Sequence, residues 1–81
     1  MDMEKLIATI LEPLVDHKDD LVVKELPEDA EGFTIYEVLV NQEDVGRVIG
    51  KRGRIAQAVR SICYAAATKE GKKIRINIDH F

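Results

Sequence analysis

The sequence holds one cysteine, Cys63, no tryptophan, four aromatic residues and two prolines among 81 residues. A single cysteine excludes an internal disulfide, and with it the disulfide-framed class of small secreted domains. Cys63 cannot frame a zinc site with the isolated His17 and His80 either. No stretch approaches the roughly 18–20 consecutive apolar residues of a transmembrane helix. The opening Met1-Asp2-Met3-Glu4-Lys5 lacks the basic start and long apolar run of a secretory signal, so a soluble cytoplasmic protein is expected. The apolar fraction of 46% is too high for a disordered chain. This length suits one small domain over residues 1–81, burying roughly 60–65% of its unfolded surface.

The net charge of −3 conceals a segregation of signs. Residues 1–44 carry 3 basic and 13 acidic side chains, a net −10; residues 45–81 carry 9 basic and 2 acidic, a net +7. Within Val45–Ser61 there are five basic residues (Arg47, Lys51, Arg52, Arg54 and Arg60) and no acid. On charge alone two readings stand side by side. The basic half meets an anionic partner, or the halves pair across the fold and cancel.

Leu6, Ile7, Ile10, Leu11 and Leu14 recur at helical spacing, which predicts an amphipathic helix from Met3 to about Val15, with Pro13 in its last turn or at a kink. Leu21–Leu26 reads as a short strand, and Phe33–Val40, rich in β-branched and aromatic residues, as the strongest one. Tyr36, Val38 and Val40 share one face, the expected buried one; Phe33, Ile35 and Leu39 share the other. Asn41 suits a helix N-cap, with Glu43 and Asp44 in the first turn. A short helix through Val45, Val48 and Ile49 is interrupted at Gly50–Gly53. A longer one follows from about Arg54 to Lys69, its apolar stripe drawn through Ile55, Ala58, Val59, Ile62, Cys63 and Ala66, and Gly71 caps it. Ile74, Ile76 and Ile78 alternate with polar residues as a half-buried strand. The order is α-β-β-α-α-β. Two strands flanking two helices make a parallel crossover, so an α+β fold is expected: a three-stranded mixed sheet with three helices on one face.

The informative segment is Val45-Gly46-Arg47-Val48-Ile49-Gly50-Lys51-Arg52-Gly53-Arg54-Ile55. Gly50 and Gly53 permit a tight turn and a close backbone approach. The unpaired N–H groups opening the next helix favour an anion. Lys51 and Arg52 supply charge at the tip, with Arg47 and Arg54 flanking it. Ile49 could floor a groove on which bases lie. Phosphates on a loop beside an apolar floor describe single-strand recognition. An isolated G-x-x-G is common by chance; its place between two helices, themselves between two strands, gives it weight.

Val45-Gly46-Arg47-Val48-Ile49-Gly50-Lys51-Arg52-Gly53 resembles the V-I-G-x-x-G signature of the KH domain, a single-stranded nucleic-acid binder. The extra helix and strand precede the β-α-α-β core, which resembles the type II, bacterial form of the KH fold over essentially the whole chain. A free-standing domain of this size is similar to the small bacterial single-KH RNA-binding proteins. That resemblance implies single-stranded RNA as partner, Gly50, Lys51, Arg52 and Gly53 as the backbone-gripping tetrad and Ile49 as a groove residue. It also implies a larger KH/Jag-type protein as hetero-partner, an RNA-chaperone role, and a link to cell-wall homeostasis and cell length.

Other chemistries fit poorly. A phosphate loop of the G-x-x-x-x-G-K-[ST] type fails because Gly46 and Gly50 are one residue too close and Arg52 stands in place of the hydroxyl residue. No nucleophile–base or paired-carboxylate arrangement can be argued, so no enzyme and no cofactor are expected. Cys63 reads as a core thiol. Tyr64 lies off the apolar stripe, at the helix edge or at a partner surface. The alternative of a different class is a protein–protein module, including a homodimer, that keeps the same fold as scaffold.

Overall fold

The computed structural model describes residues 2–81, with Lys51 described by its backbone alone. Asp2 opens the first helix: its carboxylate accepts the N–H of Lys5 at 3.1 Å, satisfying one of the donors a helix start leaves unpaired. Helix α1 runs Met3–Leu11 and buries Met3, Ile7 and Leu11, spaced four residues apart. It stops short of the expected Val15. Pro13 has no N–H for the carbonyl of Thr9, so Glu12–Leu14 tightens into a 3-10 turn, after which Val15 still reaches the core.

Strand β1 (Val22–Leu26) pairs antiparallel with β2 (Thr34–Val40), in a register that sets Val23 opposite Val38 and Glu25 opposite Tyr36. The turn between them is built on Asp29, whose carboxylate accepts the N–H groups of Glu31 and Phe33, both at 2.9 Å. After β2 come helices α2 (Val45–Val48) and α3 (Gly50–Lys69), then β3 (Ile74–His80). Strand β3 lies parallel to β2, with Tyr36 opposite Ile76 and Val38 opposite Ile78. The sheet order is β1-β2-β3. The expected α+β architecture is therefore present.

Tyr36, Val38 and Val40 are buried in one cluster with Ile7 and Leu11 of α1, Val48 of α2 and Val59 and Cys63 of α3, so all three helices cover the same face. Truncating a fully buried side chain such as Ile7 to alanine costs about 2–5 kcal/mol. On the opposite face Phe33, Ile35 and Leu39 are half-buried, and the Arg75 guanidinium lies 4.0 Å from the centre of the Phe33 ring. Tyr36 donates its hydroxyl to Glu25 at 2.8 Å; burial first, then that carboxylate, raises the phenol above its ordinary pKa.

The buried stripe of α3 differs from the expected one. Ala56, Val59, Cys63 and Ala67 face the sheet, while Ala58 is exposed and Ile62 is 50% exposed. Apolar residues surround much of this helix, so periodicity alone could not fix which of two adjacent stripes docks. The helix ends as its sequence suggests. Gly71 has φ +69°, its N–H donates to Thr68, and the N–H of Lys72 donates to Ala67, the paired bonds of a glycine-capped helix end.

Candidate nucleic-acid interface

The tetrad Gly50-Lys51-Arg52-Gly53 lies in the first turn of α3, which begins at Gly50 rather than near Arg54. That turn is not regular. Arg52 and Gly53 both have left-handed backbone, φ +64° and +68°, so the right-handed helix is regular only from Arg54. Gly53 answers this conformation at little cost, whereas Arg52 holds it against a penalty of about 1–2 kcal/mol. Gly50 has no left-handed backbone, and a Cβ built there, as at Gly53, meets nothing within 4 Å, so both positions border open space. No side chain caps the start of α3, so its opening N–H groups remain available to an anion among the described residues.

The cations around the turn divide into two kinds. Arg52 and Arg54 are exposed and, among the described residues, neither forms an ion pair. Arg47 is drawn elsewhere, its guanidinium bonding the Asp16 carboxylate at 3.2 Å and reaching the Leu14 carbonyl at 3.4 Å. Arg75 pairs with Asp29 at 3.5 Å. The pairing of the two halves across the fold thus holds for Arg47 and Arg75, which meet acids of the N-terminal half, and does not extend, among the described residues, to Arg52 and Arg54. The side chain of Lys51 lies outside the described residues. Ile49, 39% exposed, provides an apolar surface directly before the tetrad.

Asp44 fixes the base of this unit. It is 1% exposed, and its two oxygens accept the N–H groups of Asp16 and His17 at 2.9 and 3.1 Å. The Asp16 N–H first, then the His17 N–H, holds the carboxyl below its ordinary pKa, against the opposing effect of burial. His17 also meets Glu43 at 2.9 Å, and Asn41 donates to Asp20 at 2.9 Å. Asn41 caps as expected, accepting the N–H of Glu43, but the turn it starts is a 3-10 one, Gln42–Asp44, leading into α2. The acidic connector is in this way lashed to the helix pair that carries the tetrad.

Strand β3 is an edge strand, with no strand paired on its outer side among the described residues. Lys73 and Phe81 both bond to the β2 side, so the backbone of the intervening even-numbered residues faces outward. At Ile76 that outward backbone is met by α3: Arg60 donates to its carbonyl at 3.2 Å, and its N–H donates to the Tyr64 hydroxyl at 3.4 Å. Sequence reasoning assigned neither role. The available signal was the spacing, four residues apart, of a cation and an aromatic outside the apolar stripe.

No group of three His, Cys, Asp or Glu side chains is placed to hold a metal ion among the described residues. Cys63 is fully buried, and burial pushes its thiol up from its ordinary pKa, the reverse of what a nucleophile needs. No described helix is long and apolar enough to cross a membrane.

Comparison with known proteins places this geometry. The chain is 50% identical over 76 residues to the RNA-binding protein KhpA of Listeria monocytogenes, covering 94% of this chain and 97% of the relative. It is 46% identical over 77 residues to the protein of the same name from Halalkalibacterium halodurans, covering 94% and 97%. Against that of Clostridium acetobutylicum the identity is 45% over 76 residues, covering 94% and 99%. Residues 4–78, from the first turn of α1 to the inner residues of β3, match the model of the KhpA/KhpB KH domain, and to that family the chain belongs.

Proposed function

We propose that the protein binds single-stranded RNA without catalysis, gripping phosphates at Gly50, Lys51, Arg52 and Gly53 and resting bases on the apolar surface beside them. The observation that carries this reading is the left-handed turn at Arg52–Gly53. Around it Arg52 and Arg54 are exposed and, among the described residues, in no ion pair, and no side chain caps the start of α3. Ile49 contributes floor. Arg47, being paired with Asp16, contributes less than its position in the sequence suggests. The relatives named RNA-binding protein support the same reading.

Titration with single-stranded and duplex RNA at several salt concentrations tests it. With about three phosphates contacted, log K falls with log[salt] at a slope of roughly −2, using −0.7 per contact for single strands. A flat response, or a preference for duplex, counts against the groove. At the cellular level we propose, from the resemblance of the sequence to the small bacterial single-KH proteins, a cytoplasmic RNA chaperone or post-transcriptional regulator acting with a KhpB-type hetero-partner and linked to cell-wall homeostasis. Recovery of RNA crosslinked in cells, and of the bound protein partner, tests that level.

A second reading, self-association, rests on the outer face of α3, where Ala58 is exposed and Ile62 stands 50% exposed. A bare isoleucine flanked by small residues suits a helix-to-helix contact between two copies. Light scattering of Ile62→Glu against the unaltered protein decides it: the variant remains folded and runs as a monomer if this face is the seam.

A further inference from the structure

At the end of α3 remote from the tetrad, Tyr64, Ala67 and Thr68 close with Phe33, Lys72 and Lys73 around a cavity of about 220 Å³. This is smaller than the roughly 300–1,000 Å³ of sites that enclose a whole drug-sized ligand, so it accepts a single flat ring rather than a complete nucleotide. Two aromatic side chains and two lysines line it. Neither Lys72 nor Lys73 is in an ion pair among the described residues, and the Lys73 ammonium lies 5.6 Å from the centre of the Phe33 ring. Both aromatics are held in place. Tyr64 is fixed to the edge of β3 through Ile76 at 3.4 Å, and Phe33 lies under the Arg75 guanidinium. A ring already held in position loses little freedom when it binds. Tyr64 is nonetheless 37% exposed, so part of its ring is open to solvent.

The position matters as much as the composition. Tetrad and cavity sit at opposite ends of one helix; Tyr64 lies ten positions beyond Arg54, where the regular helix resumes, about 15 Å at 1.5 Å per residue. Arg60 and Tyr64 both touch the β3 edge at Ile76, so the cavity end of α3 is joined to that edge. We propose that the Phe33–Tyr64–Lys72–Lys73 cavity is a second base-binding subsite, stacking one nucleobase of a single-stranded RNA that leaves the tetrad and follows the β3 edge, with the lysines meeting its phosphates. The inference rests on the tetrad binding RNA. Aromatic–base stacking with cations alongside is the sequence-tolerant means by which proteins hold single strands.

The test uses the full chain and random-sequence single-stranded RNA of about four nucleotides, the length a KH loop clamps, and of roughly twice that length. Unaltered protein binds the longer RNA at least about tenfold more tightly. Part of that gain is the larger number of registers available on the tetrad, which every variant keeps, so the comparison between variants decides. Tyr64→Leu, and Lys72→Gln combined with Lys73→Gln, lose most of the length advantage while binding of the short RNA changes by less than about twofold. Tyr64→Phe keeps the ring and retains the advantage. Tyrosine emission, which in a chain without tryptophan comes from buried Tyr36 and exposed Tyr64, is quenched by the longer RNA but not by the shorter. Tyr64→Phe abolishes that quenching.

If the short RNA binds through the tetrad and the variants keep the full length advantage, the subsite is overturned and RNA binding by the tetrad stands. Variants that change oligomeric state in light scattering, with the length advantage intact, assign the cavity to a protein contact and overturn it equally. If neither RNA binds the unaltered protein, both readings fall.

Discussion

The carboxylate of Asp44 accepts the backbone N–H of Asp16 at 2.9 Å, across 28 positions of chain. With the His17 N–H on its second oxygen, one buried acid joins the α1–β1 connector to the root of the helix pair that carries the tetrad. An acidic residue placed to suit a helix start serves here as a tether between distant segments.

Replacing Asp44 by asparagine removes one of the two acceptors and sets an N–H donor against an N–H donor. The Asp44→Asn variant melts at a lower temperature than the unaltered protein at neutral pH. Because the folded carboxyl titrates below its ordinary value of 3.8, its contribution is fully present above that value. It is lost as pH falls through the lower folded pKa. The difference in melting temperature between the two proteins therefore shrinks toward acid, and melts from pH 7 down to the most acidic pH at which both still fold check this.

Gly53→Ala places a Cβ in open space, with nothing within 4 Å, yet at φ +68°. Any loss is conformational, about 1–2 kcal/mol by chemical denaturation. Arg52→Gly relieves the same kind of penalty at the neighbouring position, raising stability by about 1 kcal/mol while weakening RNA binding through the lost cation. Opposite signs for stability and affinity in one variant would mark the turn as strained for binding.

Lys51→Asp combined with Arg52→Asp changes the charge of the tetrad from +2 to −2. Arg52 is exposed, and surface substitutions usually alter stability by less than about 0.5 kcal/mol, so the fold survives. RNA binding falls at least roughly tenfold, about 1.4 kcal/mol. A folded double variant with undiminished affinity would falsify the tetrad as the gripping element and favour the scaffold reading.

Arg47 and Arg54 lie seven residues apart in the same basic run but differ in their partners. Arg54→Ala weakens RNA binding and flattens the salt slope by somewhat under one unit. Arg47→Ala has the smaller effect on affinity, and its exposed pair with Asp16 contributes no more than about 1 kcal/mol to stability. Parallel salt titrations of the two variants separate them.

The order of elements, the buried face of β2 and the glycine-capped end of α3 were all legible in the sequence. Each is a local property: alternation of period two, apolar spacing of period 3.6, and turn residues at fixed offsets act within a few positions of one another. The start of α3 was less legible, because left-handed residues at Arg52 and Gly53 still lie within its first hydrogen-bonded turn. Nothing local could tell which of two adjacent apolar stripes on α3 faces the sheet. Docking against β2 and β3 chose Ala56, Val59, Cys63 and Ala67 and left Ile62 outside. Nor could spacing show that Arg47 would meet Asp16, 31 residues away, while Arg52 and Arg54 would form no ion pair among the described residues. The sequence by itself determined where the cations are; only the tertiary structure decided which of them are neutralised, because Coulomb partners are set by distance in space and not along the chain.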